Sequence, residues 1–399
     1  MLHSPPDRNI VREPLWRTEA LPLTVGCTDA PHNPAGLPDT FPFTLALDRR
    51  LGLLVQTPEP GLETLLDRAY AAGSLLGTAM DDTPLGRGYA EDFLRFVAQF
   101  GEIRGRRALE IGAGRGYFLR LMADAGADAI GIEPGMQNAP HWQRFGVRVV
   151  ADSFPSPKLA DKFDLIVGYA VIEHVSDMES FLAAVRRQLR PDGCAIFSVP
   201  NSTEHIASGD PSMLLHEHFS YFTEMSLRRT LEANGMAVVG LARAGFGGAL
   251  YVAAKHGEAA IDDAPAASEL AHARAFGEKI GRLQASVRRR LDDIRVAGKR
   301  LGIYCPARAL ALLESADAIR FFDDDSELHG RFYPPFGCPV EARGALLDDP
   351  VDELWIMSRT FGPKLRKQLS GEPALRGCRI RLPDDLVPAG EPAREGLPK

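Results

Sequence analysis

The chain has 399 residues, of which 45% are hydrophobic, and this is enough apolar material for the cores of two or three domains. The formal net charge is -7 and acidic and basic residues are interspersed, so we expect no binding surface for nucleic acid or for an anionic membrane. A small molecule is the expected partner, and no feature of the sequence specifies an oligomeric state.

Targeting signals and cysteine chemistry are the next features to weigh. The first residues, MLHSPPDRNIVREP, have no apolar core of a signal peptide, and no run of about 18 apolar residues follows. We therefore expect a cytoplasmic location and no membrane span. The 5 cysteines lie far apart without a CxxC pair, which argues against a disulfide framework and a thiolate zinc cluster.

The N-terminal part predicts loops, short strands and then helices. Residues 1 to about 60 contain turn sequences such as APHNPAGLPD and TPEPG, interrupted by one strand pair around FTLALDRRLGLLVQ. Residues 61–100 have a helical pattern. The sequence thus predicts an N-terminal α+β region.

The middle of the chain alternates strand and helix signals. Strands are predicted at RRALEIGAG, DAIGIEPG, VRVVADS, FDLIVGYAV and CAIFSVPN. A helix ends at Gly126, and SDMESFLAAVRRQLRPDG predicts another, with Ser176 and Glu179 as a capping box. This alternation is typical of a parallel sheet with crossover helices. MAVVGLARA and GALYVAAK, joined by the turn GFGG, predict a final antiparallel pair.

The C-terminal part predicts a long helix and a second α/β unit. Residues 268–297 have apolar side chains at intervals of three and four and arginines on the other face, which predicts an amphipathic connecting helix. KRLGIYCPARALALLE, IRFFDDD and VDELWIMS then predict strand, helix, strand and strand. The stretch from Gly371 is rich in proline and charge and predicts a loose tail.

A glycine loop follows the first strand of the alternating region. Gly112, Gly114 and Gly116 precede a helix, where a backbone without Cβ atoms can approach a ligand closely. A dinucleotide fingerprint GxGxxG would need a small residue at Tyr117, so the GxGxG spacing favours another cofactor. A glycine turn without a ligand and a nicotinamide dehydrogenase are the alternatives.

Acidic residues follow the next two strands. Glu133 lies where a carboxylate can accept hydrogen bonds from ribose hydroxyls, and Asp152 lies where an adenine amine can be bound. With the glycine loop, this set resembles class I S-adenosylmethionine-dependent methyltransferases over roughly residues 86–256. The resemblance implies S-adenosylmethionine as cofactor. The cofactor contacts that it implies are Glu110, Gly112, Ala113, Gly114, Gly116, Glu133, Pro134, Asp152, Ser153 and Tyr169.

LLHEHFSYFT, residues 214–223, follows the fifth strand of this region and has three interpretations: a metal site, an acid/base centre or core. An HExxH metal motif would need a histidine at Ser220, and no third ligand is identifiable, so no metal site is predicted. The carboxyl end of the sheet is where open α/β folds bind ligands. An acid/base role is therefore favoured over packing.

Further segments sharpen the resemblance. HEHFSYF, GGALYV, GIYCPARALALL and FFDDDSELHGRFYPPFGCPV together resemble sugar C-methyltransferases that act on nucleotide-linked 4-keto-6-deoxy sugars. In that family the first domain binds zinc, the second binds S-adenosylmethionine and the C-terminal domain helps to enclose the sugar nucleotide. Here Asp48 and Leu51 replace two zinc cysteines, and Leu215 replaces a tyrosine of the family's catalytic set.

The resemblance implies roles for the residues around HEH. His218 would be the base that removes a proton beside a ketone, Glu217 would orient or polarise it, and His174 would face the same crevice. The implied substrate contacts are His216, Tyr221 and Arg308. Packing is the alternative for His174, and it is favoured for His216 and for the aromatic residues Phe219, Tyr221 and Phe222.

The sequence predicts an α/β protein with a Rossmann-like seven-stranded methyltransferase sheet, an N-terminal α+β region and a smaller C-terminal α/β domain. The expected divisions are residues 1–85, 86–256, 257–298, 299–372 and 373–399. The expected reaction is methylation of a sugar carbon. Methylation of oxygen or nitrogen in another small metabolite and a non-catalytic S-adenosylmethionine-binding module are the alternatives.

Overall fold

The computed structural model describes most of the chain. The described residues are 12–34, 36–71, 80–258, 260, 264–313, 319–359 and 361–386. Predictions for the first 11 residues and for the last 13 therefore fall outside the described residues.

An antiparallel sheet forms the N-terminal part. Its strands β1 (Arg12–Pro22), β2 (Thr40–Asp48) and β3 (Leu53–Thr57) pair in chain order. The short strand β9 (Ser220–Tyr221), which comes later in the chain, pairs with β3. The expectation of loop at residues 12–22 is wrong, because this stretch pairs with β2 through two register shifts that hide the usual alternation of side chains. The predicted pair around residues 43–56 is confirmed as β2 and β3.

Two helices follow where the sequence has a helical pattern. They are α1 (Leu62–Ala71) and α2 (Pro84–Val97), and residues 72–79 between them lie outside the described part. The Thr83 side chain accepts a hydrogen bond from the Gly86 N–H, which caps the start of α2.

The central sheet has seven strands and confirms the predicted fold class. Its strands are β4 (Arg107–Ile111), β5 (Asp128–Ile132), β6 (Val149–Val150), β7 (Phe163–Tyr169), β8 (Leu189–Pro200), β10 (Met236–Arg243) and β11 (Ala249–His256). In space they run β10-β11-β8-β7-β4-β5-β6. The first five in chain order are parallel, and the last two form the predicted antiparallel pair.

Five helices connect these strands. They are α3 (Tyr117–Asp124), α4 (Ala139–Phe145), α5 (Met178–Gln188), α6 (Thr203–Ser208) and α7 (Glu224–Ala233). The predicted capping box at Ser176 is wrong by one residue, because Asp177 is the N-cap and accepts from the Ser180 N–H. Helix α5 also ends earlier than predicted, since the chain joins β8 directly at Leu189.

The predicted connecting helix is confirmed as α8 (Ala267–Val296). Phe276 and Ile280 pack with the N-terminal sheet, whereas Val287 and Ile294 pack in the core of the C-terminal unit. One helix therefore joins the two outer parts of the molecule. Among the described residues, no helix combines the length and the apolar character needed to cross a membrane.

The C-terminal unit is a five-stranded parallel sheet. Its strands are β12 (Leu301–Tyr304), β13 (Ile319–Phe322), β14 (Val340–Glu341), β15 (Glu353–Ile356) and β16 (Arg379–Arg381). In space they follow the order β14-β13-β12-β15-β16. Helices α9 (Arg343–Asp348) and α10 (Gly362–Ser370) connect them.

Two predictions in this unit are wrong. The helix expected after β12 is a pair of short 3₁₀ turns, Pro306–Arg308 and Leu310–Leu312, because the N–H groups of Ala309 and Leu312 bond to the backbone oxygens three residues earlier. The loose tail expected from Gly371 contains β16, which pairs with β15. Glu353 of β15 binds Arg381 of β16, and this tertiary contact fixes a segment with little apolar content.

Candidate active site

The glycine loop turns sharply between β4 and α3. Gly112, Gly114 and Gly116 have φ values of 68°, 49° and 81°, which is a conformation that side chains disfavour. A Cβ atom on Gly112 would lie 2.7 Å from Cγ2 of Val171. The loop therefore needs glycine both for its backbone angles and for its close approach to the neighbouring segment.

Glu133, at the end of β5, supports this loop. One carboxylate oxygen accepts from the Gly114 N–H at 3.0 Å, and the other accepts from the Gly135 N–H at 2.7 Å and from the Tyr70 hydroxyl. The side chain is buried. Glu133 therefore lies against the glycine loop, where the sequence predicted part of the cofactor site. Tyr70 of α1 is a neighbour of Glu133 that the sequence did not indicate.

Glu110 of β4 is buried beneath the loop. The Leu119 N–H hydrogen-bonds its carboxyl group, while Oε2 has no hydrogen-bond partner among the described residues. Burial and the charge of Glu133 raise the pKa of Glu110 well above its usual range. A buried polar atom without a partner is costly, so it marks a place for a ligand group.

A cavity of about 390 Å³ opens beside the glycine loop. Gly112, Pro134, Ser153 and His174 are lining residues that the sequence predicted. Other lining residues, which the sequence did not indicate, are Phe154, Pro155, Asp177, Ser180 and Phe181. The cavity, the glycine loop and the unpartnered Glu110 oxygen fit a nucleoside cofactor.

Other predicted cofactor residues lie around the cavity rather than in its lining. Asp152 is half-buried, and its carboxylate binds the Ser156 hydroxyl and the Lys158 ammonium group. Ala113 is buried in the loop, and Tyr169 packs its ring against Phe93. The contact of Asp152 with adenine stays a prediction, and here these two nearby side chains hold the carboxylate.

Two histidines lie together at one side of the cavity. The rings of His174 and His218 have centroids 4.8 Å apart and meet edge to face. His174 Nδ1 is 2.8 Å from the backbone oxygen of Glu217, and because that oxygen only accepts, Nδ1 carries the hydrogen. The short 3₁₀ turn Ile172–His174 and the HEH segment thereby join at the carboxyl end of the sheet.

Both imidazoles are held in the neutral form. Burial lowers the pKa of His174 to about 4. For His218, burial together with the neighbouring His174 and the positive charge of Arg308 lowers the pKa well below its usual range. A neutral imidazole can accept a proton or bind a metal.

Comparison with known proteins agrees with this geometry. The family model described as "Methyltransferase domain" matches residues 85–241. The chain contains a class I S-adenosylmethionine-dependent methyltransferase domain. S-Adenosylmethionine is therefore the cofactor whose binding the glycine loop and the cavity support.

Curated relatives include two kinds of methyltransferase. C-methyltransferase NovU of Streptomyces niveus is 28% identical over 281 residues, which are 63% of this chain and 67% of that protein. Ubiquinone biosynthesis O-methyltransferase of Azorhizobium caulinodans is 33% identical over 134 residues, which are 30% of this chain and 52% of that protein. The chain thus spans about half to two thirds of the length of these relatives.

A solved structure with a similar fold is the DhpI–SAM–HEP complex. It has 21% sequence identity and a TM-score of 0.40, and the match covers 50% of this chain and 100% of that chain.

The N-terminal sheet anchors the HEH segment of the methyltransferase domain. Strand β9 (Ser220–Tyr221) pairs with β3 and completes a four-stranded sheet. The Gln56 side-chain amide, in the orientation that satisfies its hydrogen bonds, donates to the backbone oxygens of His216 and His218 at 3.0 Å each. The sequence did not indicate Gln56, because its partners are distant in the chain.

His216 belongs to the core of the N-terminal sheet. Its Nε2 lies 3.1 Å from the Phe41 oxygen and 3.3 Å from the Leu21 oxygen, and its ring meets Phe43 edge to face. Burial lowers its pKa to about 4. This placement agrees with packing and differs from the substrate contact that the resemblance implied, because surrounding backbone holds the ring away from the crevice.

The other implied substrate residues, Tyr221 and Arg308, both interact with His218. Tyr221 is buried, and its hydroxyl donates to the Leu215 backbone oxygen at 3.2 Å. Arg308 is exposed at the carboxyl end of β12, and its charge acts on both His218 and His205. The C-terminal sheet thus brings a cation to the crevice of the methyltransferase domain.

Asp48 and Leu51, which stand where the resembling family has two zinc cysteines, make structural contacts here. The Asp48 carboxylate accepts from the backbone N–H groups of Arg50 and Leu51 at 2.9 and 3.1 Å and so stabilises a turn. The Leu51 side chain is buried in the central hydrophobic core. These residues do not fit a zinc site. The hydrogen bonds of Asp48 and the packing of Leu51 hold the turn.

Proposed function

We propose that the protein transfers a methyl group from S-adenosylmethionine to carbon in a nucleotide-linked keto-deoxysugar. The observation that carries the proposal is the neutral His174–His218 pair beside the cofactor cavity. The resemblance of the HEH segment to sugar C-methyltransferases and the match with a C-methyltransferase support it.

Carbon methylation requires a base, because a hydrogen beside a ketone is a weak acid. In this proposal His218 takes that proton, and the electron pair of the C–H bond moves into an enolate. The low proton affinity of a buried imidazole keeps His218 ready to accept throughout the neutral pH range. S-Adenosylmethionine supplies an electrophilic methyl group on sulfur when it is bound.

Glu217 precedes this base in the chain. Its side chain is buried, and its charge acts on Tyr70, Tyr221 and Glu173. In this proposal the Glu217 carboxylate orients or polarises His218. The Glu217 backbone oxygen fixes His174 at the same time.

The outer parts of the chain would bind the nucleotide end of the acceptor. Arg308 supplies the cation for a substrate phosphate, and the C-terminal unit at about residues 299–372 encloses the sugar nucleotide in this proposal. The N-terminal region at about residues 1–85 positions the HEH segment through Gln56 and β9.

The test uses a keto-deoxysugar nucleotide that carries deuterium on the carbon beside the ketone. Mass spectrometry of the product should show one methyl group gained and the deuterium lost. A methyl gain with the deuterium retained would contradict carbon as the acceptor.

Oxygen methylation is the second candidate. Leu215 stands where the resembling family has a catalytic tyrosine, and an O-methyltransferase is 33% identical to this chain over 134 residues. A hydroxyl group gives up its proton more readily than carbon, so this reaction needs fewer catalytic groups. The retained-deuterium outcome above is the one that this candidate predicts.

A further inference from the structure

We propose that Glu173, His174 and His218 form a binding site for a divalent transition-metal ion such as Zn²⁺ when the acceptor is absent. Each residue offers one ligand atom, and the three atoms lie within 4.8 Å of one another. Two imidazoles and one carboxylate are a set that proteins use for zinc and for ferrous iron. The sequence did not indicate the site, because no local spacing links Glu173 and His174 to the HEH segment. Glu217 of that segment follows His174 by 43 residues.

The Glu173 carboxyl group is the first observation that points to a cation. Its side chain is 1% exposed, and neither oxygen has a hydrogen-bond partner among the described residues. Burial raises its pKa to about 8. A buried carboxyl group without partners is unfavourable, and a bound cation would both satisfy the oxygens and stabilise the ionised form.

The orientation of His174 is the second observation. Its Nδ1–H donates to the Glu217 oxygen at 2.8 Å, so the lone pair is on Nε2. That Nε2 atom lies 3.9 Å from Oε1 of Glu173. Histidines that bind metals are commonly fixed in this way by a hydrogen bond from the other ring nitrogen to a backbone oxygen.

The distances require a small closure of the site. Ligand atoms on one tetrahedral zinc ion, each about 2.0–2.1 Å from it, lie about 3.3 Å apart. The contact of 3.9 Å between His174 and Glu173 is near this value, and the largest separation in the group is within 4.8 Å. Side-chain rotation of His218, which is half-buried, can supply the difference.

The expected consequence depends on the proposed function. An imidazole nitrogen that binds a metal cannot accept a proton, so the metal-bound enzyme would not form the enolate. Zinc would then inhibit carbon methylation, and an acceptor in the crevice would compete with it. Metal binding itself does not require that the proposed reaction is correct.

The test is calorimetric titration of Zn²⁺ into the full-length, chelator-treated protein without acceptor. We expect one equivalent to bind at this site and the dissociation constant to rise at least about tenfold in Glu173→Gln, since a charged ligand is lost. Glu179→Gln, an exposed substitution six residues away on α5, is the matched control and should bind like the original protein. Equal affinity in Glu173→Gln, or no bound equivalent in the original protein, would overturn the proposal.

Cobalt provides a second readout that does not depend on activity. Co²⁺ in the site should give the visible absorption of a nitrogen- and oxygen-ligated ion, and His174→Gln should remove it. This variant keeps the test valid if Glu173→Gln does not fold, and an unchanged spectrum would overturn the proposal. Zinc binding without inhibition of methyl transfer would support the metal site and contradict the role of His218 as base.

Discussion

His218 is the residue on which the proposed chemistry depends. It lies beside His174, near the charge of Arg308, and its pKa is lowered well below the usual range by burial and by these neighbours. Its backbone oxygen accepts from Gln56. The backbone at His218 is thus held in place, and the neutral imidazole has a lone pair that can accept a proton, as general base catalysis requires.

Replacing His218 by glutamine should remove the proton acceptor and leave the cofactor cavity intact. We expect kcat for methylation of the keto-sugar to fall about 10²–10⁴-fold, the usual contribution of a general base. The affinity for S-adenosylmethionine should remain unchanged, as measured by calorimetry. His272→Gln, on an exposed part of α8, is the control. A fall of less than about fivefold in His218→Gln would argue against the base role.

The Gly112 position should be sensitive for cofactor binding. Gly112→Ala places a Cβ atom 2.7 Å from Val171, which lines the cavity, and also strains a φ of 68°. We expect the dissociation constant for S-adenosylmethionine to rise at least about tenfold. Gly146→Ala separates the two effects, because Gly146 has a φ of 63° and open space where its Cβ would lie. If both variants lost affinity equally, backbone strain alone would explain the effect.

Sequence reasoning found the part of the site that is local in the chain. Gly112, Gly114 and Glu133 follow strands with clear patterns, and the geometry of parallel sheets brings strand ends together. Tyr70 and Gln56 have no such local signal, since their partners are fixed only when the N-terminal sheet packs against the methyltransferase domain. Asp152 had a signal but binds nearby side chains.

At the scale of elements, strand β3 determines the position of the HEH segment. Its Gln56 side chain is buried and donates to two backbone oxygens, and its backbone pairs with β9. The Phe219 N–H donates to the backbone oxygen of Glu173, in the turn that contains His174. The segment is therefore held between the N-terminal sheet and the turn that contains His174.

Replacing Gln56 by leucine should loosen this segment. Two buried backbone oxygens would lose their donor, so we expect the free energy of unfolding to fall by about 1–3 kcal/mol. The kcat for methylation should also fall, with little change in cofactor affinity. Denaturant unfolding and steady-state kinetics measure these effects, and Gln143→Leu on the surface of α4 is the control. Unchanged stability and kcat in Gln56→Leu would contradict the positioning role.

Elements with their own periodicity were predictable, and those fixed by distant partners were not. The strands of the central sheet and the long helix α8 have clear apolar patterns, and the structure confirms them. Strand β1 was missed because two register shifts break its alternation. Strand β16 was missed because it is only three residues long, and its backbone pairing with β15, the Glu353–Arg381 ion pair and the packing of Ile380 all depend on distant residues.

At the scale of the whole molecule, an ion pair links the methyltransferase domain to the C-terminal unit. Arg359 follows β15 and binds Asp210, whose side chain is 3% exposed. Burial raises the pKa of Asp210, but the charges of Arg359 and His205 outweigh this effect and leave the pKa lowered. The carboxylate therefore stabilises the folded state above its unfolded pKa, and this contribution is lost as the pH falls through the folded pKa.

Arg359→Met should destabilise the protein, because it leaves a buried carboxylate without its cation. We expect a loss of about 3–5 kcal/mol in the free energy of unfolding near neutral pH, and a smaller loss in acid, where Asp210 is protonated. Arg366→Met is the control, since its pair with Asp385 is exposed and worth about 0–1 kcal/mol. Denaturant unfolding near neutral pH and in acid measures the loss in unfolding free energy. Equal losses for the two variants near neutral pH would contradict the stabilising role of the Arg359–Asp210 pair.

The three parts of the chain act on one crevice in this account. The N-terminal sheet holds the HEH segment, the central sheet supplies the cofactor cavity and the C-terminal sheet brings Arg308. No single segment of the sequence indicates how these three parts are arranged around the crevice. The central claim is that this crevice methylates carbon.

The most direct measurement is an NMR spectrum of the product formed from a keto-deoxysugar nucleotide and S-adenosylmethionine with a ¹³C-labelled methyl group. We expect coupling of the labelled carbon to the ring carbon beside the ketone, because this coupling shows a new carbon–carbon bond. A labelled methyl group bonded to oxygen or nitrogen would contradict the claim.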